Sequence, residues 1–249
     1  MGEIKTSLRL SVVIPCFNEE GNISHCYSEL VKPLLEMVPA TEFVFVDDGS
    51  VDGTARALDQ IQKQSPAIKV IKHARNFGLG SALQSGFCLC KGDVILTLDS
   101  DLTFHPREIP NLFKVFDDDT ACVTGSPTLG AFESVSFPRK LLSRIVNHVY
   151  GHLLGQHLTS TSSLFRLYRA KYLRQLKLNS TSFDINAEIL FKLIQRGLTI
   201  KEIPATLTRR TWGVSKIHIL REIKNHLFLF MKIAKWRLIP STRNEGQNQ

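Results

Sequence analysis

No apolar stretch in this 249-residue chain approaches the ~20 residues needed to cross a bilayer. The longest, residues 227–231, is stopped by Lys232. No membrane span is therefore expected. Glu3, Lys5 and Arg9 leave no apolar stretch ahead of the first strand-like run, so no secretory signal is expected either. Cysteine is sparse and odd in number, at five. Cys88 and Cys90 lack the second pair that a zinc site requires, and reduced thiols in a cytosolic protein are the expectation. Internal repeats and low-complexity segments are absent. What is present is ordinary globular material: 43% hydrophobic and 22% charged residues, enough to bury a core and to exclude wholesale disorder.

The two signs of charge are also unevenly spread along the chain. Residues 1–135 carry a net −7 and residues 136–249 a net +15, which together give the formal +8. A basic half suits nucleic acid, an anionic membrane surface or phosphorylated ligands, and carboxylates in the acidic half suit a cation.

The apolar pattern predicts strands at Leu10–Pro15, Glu42–Val46, Ile68–Ile71 and Asp93–Leu98. Helical patterns lie between them, the first capped by Asn18 and another with a small-residue face at Gly78, Gly80, Ala82 and Gly86. A strand–helix rhythm of about 25–30 residues argues for an α/β fold with a doubly wound, mostly parallel sheet flanked by helices. Further on, a helix is expected over Pro106–Phe116, a strand over Ala121–Gly125, a loop over Gly130–Phe137 and a helix over Lys140–Leu154. A strand over Leu164–Tyr168, a helix over Ile185–Arg196 closed by Gly197, and short strands at Leu198–Pro204 and Leu207–Arg209 follow. We expect one domain over 1–216, with an amphipathic helix and polar tail over 217–249.

Ligands of such sheets bind beyond the carboxyl ends of the strands. Those ends carry Asn18/Glu19, Asp47/Asp48 and Asp99/Asp101. In Asp99-Ser100-Asp101 the period of two puts both carboxylates on one side, and two hard oxygen donors suit Mg²⁺ or Mn²⁺. Alone, such a triplet is more often a surface turn; the apolar strand before it favours a site. Gly78 and Gly80 form neither a Walker pattern nor a full dinucleotide fingerprint, so packing is the better reading. His73 and His105 read as structural or surface residues, and the cysteines as buried filler.

The segments SVVIPCFNEE, VFVDDGSVDGT, ARNFGLGSALQSGF and LTLDSDLTFHPREIP, in that order, resemble glycosyltransferase family 2. SFPRKLLSR, SSLFRLY, NAEILFKLIQRGLTIKEIP and RRTWGVSK extend the resemblance to its polyprenyl-phosphate branch, typified by dolichol-phosphate mannosyltransferases, over roughly residues 10–220. The resemblance implies a GT-A fold and an inverting, metal-dependent transfer of a sugar from a nucleotide donor to a polyprenyl phosphate. Mannose from GDP-mannose is the first candidate; glucose or an N-acetylhexosamine from UDP, or a saccharide hydroxyl acceptor, is the alternative. It implies that Pro15, Phe17 and Glu19 lie against base and ribose. Asp47 meets the base, and Asp48 in the same loop joins it among the nucleotide-sugar-binding residues. Asp99 and Asp101 hold metal and diphosphate, with Ser100 between them. Arg139 and Ser143 meet the acceptor phosphate, and Arg210, Ser215 and Lys216 cover the diphosphate. Asp99, Asp101, Arg139, Arg210 and Lys216 are the implied catalytic set. Glu188 matches a glutamate without a clear role.

Three positions depart from the family pattern. Thr103 stands where a Gln often adds a metal ligand. Pro127 replaces an Arg whose contact to the acceptor phosphate Arg144 or Arg166 could supply. Ser160 and Leu164 replace an Asp and a Gly. These departures leave an inactive, sugar-nucleotide-binding relative as a further alternative. A phosphate monoester is mostly dianionic at neutral pH and needs no strong base; a hydroxyl acceptor would, and Glu188 or Asp101 would be examined first. The basic, amphipathic pattern over Ile217–Leu238 suits either a helix packed on the domain or one lying on anionic lipid. A peripheral enzyme on the cytoplasmic membrane face is expected, with a membrane-anchoring partner protein as a second route to the bilayer. Nucleic acid is set aside, because the acidic strand ends oppose it and no aromatic–basic RNA motif supports it.

Overall fold

The computed structural model describes residues 8–132, 151 and 158–209, together with 227, 228, 230, 231, 233 and 234. Among the described residues the β-branched and aromatic runs become seven strands: β1 (Leu10–Cys16), β2 (Thr41–Asp47), β3 (Ile68–Lys72), β4 (Val94–Thr97), β5 (Thr120–Phe132), β6 (Arg166–Arg169) and β7 (Thr199–Leu207). They form a single sheet in the order β3-β2-β1-β4-β6-β5-β7. Every pairing is parallel except the two made by β6, which runs against β4 and β5. The chain therefore enters β6 at the edge where the other strands end.

Helices cover both faces. α1 (Glu20–Cys26) passes through a π-turn (Tyr27–Val31) into α2 (Lys32–Met37). α3 (Thr54–Gln62), α4 (Leu79–Leu89), α5 (Ile109–Lys114), the single turn α6 (Ala170–Leu173) and α7 (Ile185–Gln195) follow. Alternation along β1 divides the core. Val12 and Ile14 point into the cluster that holds Ile23, Leu58 and Leu112, whereas Val13 points into the one that holds Leu83 and Ile189. This is the doubly wound arrangement expected from the sequence.

Four local expectations are corrected. Asn18 does not cap α1: it adopts φ +53, and its side-chain oxygen accepts from the Val51 amide. The helix expected over Pro106–Phe116 splits into a 3-10 turn (Pro106–Glu108) and α5, which ends at Lys114. Residues Gly130–Phe132, read as loop, continue β5 and rejoin β7 across a register shift between Ser126 and Ala131. The two short strands around Pro204 are one strand, β7. Its only named sheet neighbour is β5, so the missing amide of Pro204 faces the open edge and costs little. Gly197 closes α7 with φ +71, as expected of a left-handed cap. The helix expected over Lys140–Leu154, apart from helical Gly151, and most of that over Ile217–Leu238 lie outside the described residues.

Candidate active site

Three loops leave the carboxyl ends of β1, β2 and β4 side by side. The first two are latched together. The Asn18 amide donates to Ser50 Oγ at 2.9 Å, and the Glu19 amide to Thr54 Oγ1 at 2.7 Å. The Asp48 amide donates to the Cys16 carbonyl at 2.8 Å. Glu20 accepts from the Gly53 amide and the Arg56 guanidinium. Pro15 and Phe17 are half-buried, and Glu19 is buried with its carboxylate bonded to Asn22. Asp47 is buried and accepts from the Ser50 amide at 3.0 Å.

Asp48 is placed differently. Its Oδ1 lies 2.7 Å from His73 Nδ1 and accepts from the Phe77 amide at 3.0 Å; its Oδ2 accepts from the Gly78 amide at 2.7 Å. This carboxylate thus organises the next loop. Gly78, at φ +98, and Gly80 start α4 against residues 180–181, where a Cβ on Gly80 would stand 2.3 Å from the Ser180 carbonyl. Packing is the role of these glycines.

β4 stops at Thr97, so the acidic triplet lies in the turn beyond it rather than in the strand, where the Leu102 amide donates to the Asp99 carbonyl at 3.2 Å; Asp99 and Asp101 are half-buried and Ser100 is buried. Asp101 Oδ1 accepts from both the amide (3.1 Å) and the hydroxyl (2.9 Å) of Thr103, with Leu102 turned to φ +51 between them. The Thr103 carbonyl accepts the amide and hydroxyl of Thr208, each at 2.9 Å. The chain that leads to Arg210 therefore leaves the described residues beside the acidic triplet.

The Asp101 carboxylate and the Thr103 hydroxyl meet, with Asp99 earlier in the same turn, and these are hard oxygen donors. Such a set fits a divalent cation whose remaining positions come from diphosphate oxygens and water. Among the described residues no group of three or more His, Cys, Asp or Glu side chains could hold a metal ion by itself.

The loop that enters β6 closes the same edge. The Glu202 carboxylate of β7 accepts from the amides of Thr159 and Ser160 at 2.8 and 3.0 Å, and Ser126 Oγ lies 2.6 Å from Thr159 Oγ1. Arg166 is wholly buried. Its guanidinium donates to the carbonyls of Thr161 and Asn186, each at 2.7 Å, and to Thr124 Oγ1 at 3.2 Å. It therefore cannot replace the missing arginine at Pro127, because it is committed to the interior.

Glu188 is also wholly buried. It accepts from the amides of Asn179 (3.1 Å) and Ser180 (2.8 Å) and from Lys192 Nζ (2.7 Å). Burial pushes its pKa up, but Lys192 and the two amides outweigh that and leave it below the usual glutamate value. A carboxylate so held is a structural anchor and a poor proton acceptor for a ligand. Arg139, Ser143, Arg144, Arg210, Trp212, Ser215 and Lys216 lie outside the described residues.

Residues 11–177 match the family model described as glycosyl transferase family 2. The chain belongs to glycosyltransferase family 2. It is 29% identical over 235 residues to the undecaprenyl-phosphate 4-deoxy-4-formamido-L-arabinose transferase of Serratia proteamaculans, covering 94% of this chain and 67% of that one. It is 30% identical over 260 aligned residues to the dolichol-phosphate mannosyltransferase of Saccharomyces cerevisiae, covering 94% and 95%. Among solved structures it superposes on glucosyl-3-phosphoglycerate synthase of Mycobacterium tuberculosis in complex with Mn²⁺, UDP and glucosyl-3-phosphoglycerate. The TM-score is 0.69 at 20% identity, covering 96% and 83% of the two chains. It also superposes on the mannosyltransferase PcManGT of Pyrobaculum calidifontis in complex with GDP-Man and Mn²⁺, with a TM-score of 0.63 at 16% identity, covering 93% and 65%. These likenesses show the GT-A-like fold. The family 2 assignment makes this protein a glycosyltransferase, with its acidic triplet at the carboxyl edge of the sheet.

Proposed function

We propose that this family 2 glycosyltransferase moves a sugar from a nucleotide donor to a polyprenyl phosphate, with inversion at the anomeric carbon. The observation that carries the acceptor is the match to two polyprenyl-phosphate transferases at about 30% identity across nearly the whole chain. The donor base and ribose would lie against Pro15, Phe17 and Glu19, with Asp47 meeting the base. Asp99 and Asp101, with Thr103 beside them, would hold Mg²⁺ or Mn²⁺. When bound, that cation neutralises charge on the leaving diphosphate. Arg210, Ser215 and Lys216 would cover the same diphosphate, and Arg139 and Ser143 would align the acceptor phosphate. A dianionic acceptor attacks without deprotonation. That agrees with the burial of Glu188, one of the two carboxylates, with Asp101, that a hydroxyl acceptor would have called upon. Mannose from GDP-mannose remains the first donor to test and the UDP sugars the second.

We further propose the cytoplasmic membrane face as the place of action. Among the described residues no helix is long and apolar enough to cross a membrane. Near the C-terminus Ile233 is buried and Phe230 packs on the core, yet Leu227, Phe228 and Met231 are 55%, 61% and 64% exposed. Lys224, Lys232, Lys235 and Arg237 accompany them in the sequence. Apolar side chains seated on the domain, others left exposed, and a basic sequence around them fit an anionic lipid surface. The division near residue 216 belongs to this reading: a catalytic domain, then a membrane-contacting appendix that shares its core.

The test is a panel. Protein with Mn²⁺, a short polyprenyl phosphate, and labelled GDP-mannose, UDP-glucose or UDP-N-acetylglucosamine in turn should yield a lipid-soluble product from one donor. Tight nucleotide binding without product from any donor would refute transfer to lipid phosphate. Phosphatidylglycerol vesicles should sediment the wild type and lose the triple variant Leu227→Ser/Phe228→Ser/Met231→Ser; equal sedimentation would refute the lipid-contacting face.

A further inference from the structure

Asp48, His73 and Ser85 form a continuous hydrogen-bonded chain across three elements. Asp48 Oδ1 lies 2.7 Å from His73 Nδ1, and His73 Nε2 lies 2.9 Å from Ser85 Oγ. Asp48 sits at the end of β2, His73 just beyond β3 and Ser85 within α4. The His73 side chain is 12% exposed and that of Asp48 4%. The Asp48 carboxylate and both His73 ring nitrogens are thus engaged within the protein, with one another, with Ser85 and with two backbone amides.

The geometry points to a positioning role: this chain fixes the His73–Gly78 loop as one wall of the donor site. Six further contacts bear on the loop. The His73 amide donates to the Asp47 carbonyl at 2.8 Å, which ties the loop to the residue that would meet the base. Asp48 takes the amides of Phe77 and Gly78 at 3.0 and 2.7 Å. Gly49, at φ +69, lets the loop lie against it, because a Cβ there would stand 2.2 Å from the Arg75 carbonyl carbon. The ring of His73 meets that of Phe77 edge-on at 5.5 Å, and the Arg75 guanidinium lies 5.1 Å above the Phe77 ring. Arg75, Asn76 and Phe77 are the exposed face of this wall. Asp48 is thus assigned to support the wall. The sequence of His73, Asp48 and Ser85 reads like a hydrolytic triad by type. Here, however, the carboxylate also carries two backbone amides and the hydroxyl lies in the middle of a helix, which suits bracing.

This inference rests on the donor-site reading, and its test separates the two. His73→Ala should raise hydrogen exchange at residues 75–79 and raise the donor KM about tenfold while kcat changes less than threefold. His73→Asn, whose amide nitrogen falls near the Nδ1 position, should restore both toward wild type. His73→Gln, which reaches only the Nε2 position, should not. Wild-type exchange at residues 75–79 in His73→Ala overturns the brace whatever the donor. So does a donor KM within twofold of wild type, or a loss of melting temperature with exchange and KM unmoved. Should His73→Ala not be recovered folded, the comparison of Asn with Gln decides: equal behaviour of the two overturns the assignment. Absence of any nucleotide binding by wild type would refute the donor-site reading, while the exchange arm would still judge the brace.

Discussion

Glu188→Gln separates two roles that sequence leaves equivalent. The wild-type carboxylate holds the amides of Asn179 and Ser180 and the ammonium of Lys192 without exposure to solvent. Glutamine preserves the shape and one acceptor oxygen, but it turns an NH₂ toward one of these donors and removes the charge facing Lys192. Hydrogen bonds to a charged group contribute about 1.5–3 kcal/mol each, and leaving a buried donor unmet adds to the loss. A cost of about 3 kcal/mol follows, which in a chain of this size lowers the Tm by about 6–12 °C. The pH dependence has a definite sign. The native pKa of Glu188 is lowered, so its stabilisation is complete above the unfolded value of about 4.3 and is lost as pH falls through the native value. The acid limb of stability below about pH 4 should therefore be shallower in the variant. Thermal melts from pH 3 to 7, with initial rates at permissive temperature, measure both effects. An unchanged Tm with a hundredfold fall in kcat would refute the anchor and make Glu188 a catalytic base.

Asp101→Asn should abolish divalent-cation-dependent turnover while changing the Tm by only a few degrees, because Asn keeps an acceptor for Thr103; retained turnover in a Mn²⁺ titration would remove Asp101 from the cation site. Gly80→Ala should destabilise by about 2 kcal/mol or more in urea melts, since the added methyl collides with the Ser180 carbonyl. Thiol titration with Ellman's reagent should find one fast group, exposed Cys88, in the native protein and five in guanidinium. Cys16, Cys26, Cys90 and Cys122 are buried. Burial pushes Cys26, Cys90 and Cys122 up to about 12 and Cys16 well above its usual value.

The strands were legible because buried parallel strands are written as short β-branched runs: LSVVIP and EFVFV have no other economical reading. The place of the acidic triplet at the carboxyl edge of the sheet was legible from the apolar strand before it; that the strand stops at Thr97 and the triplet forms a turn was not. The roles of Asp48, Arg166 and Glu188 were not. A carboxylate beside a donor motif has the same local signature whether it faces a ligand or backbone amides. The amides that claim Asp48 lie about 30 residues further on. Arg166 looked available for phosphate because arginine usually is, yet strand pairing on both sides places it in the middle of the sheet. Asn18 has the composition of a helix cap, but the latch to Val51 forms only once the neighbouring loop is in place. Each miss is a tertiary contact overriding a sound local tendency.

The reversed direction of β6 has a consequence for anyone altering this enzyme. In a sheet of uniformly parallel strands, loops on the ligand edge always follow a strand. Here one of them precedes it, since residues 158–165 arrive at that edge before β6 descends. Insertion at either end of β6 would break buried chain, since Phe165, Arg166 and Ala170 are buried and the Ala170 amide donates to the Asp93 carbonyl. Substitution at exposed Ser162 is the change that would alter this edge while leaving β6 and its core contacts in place.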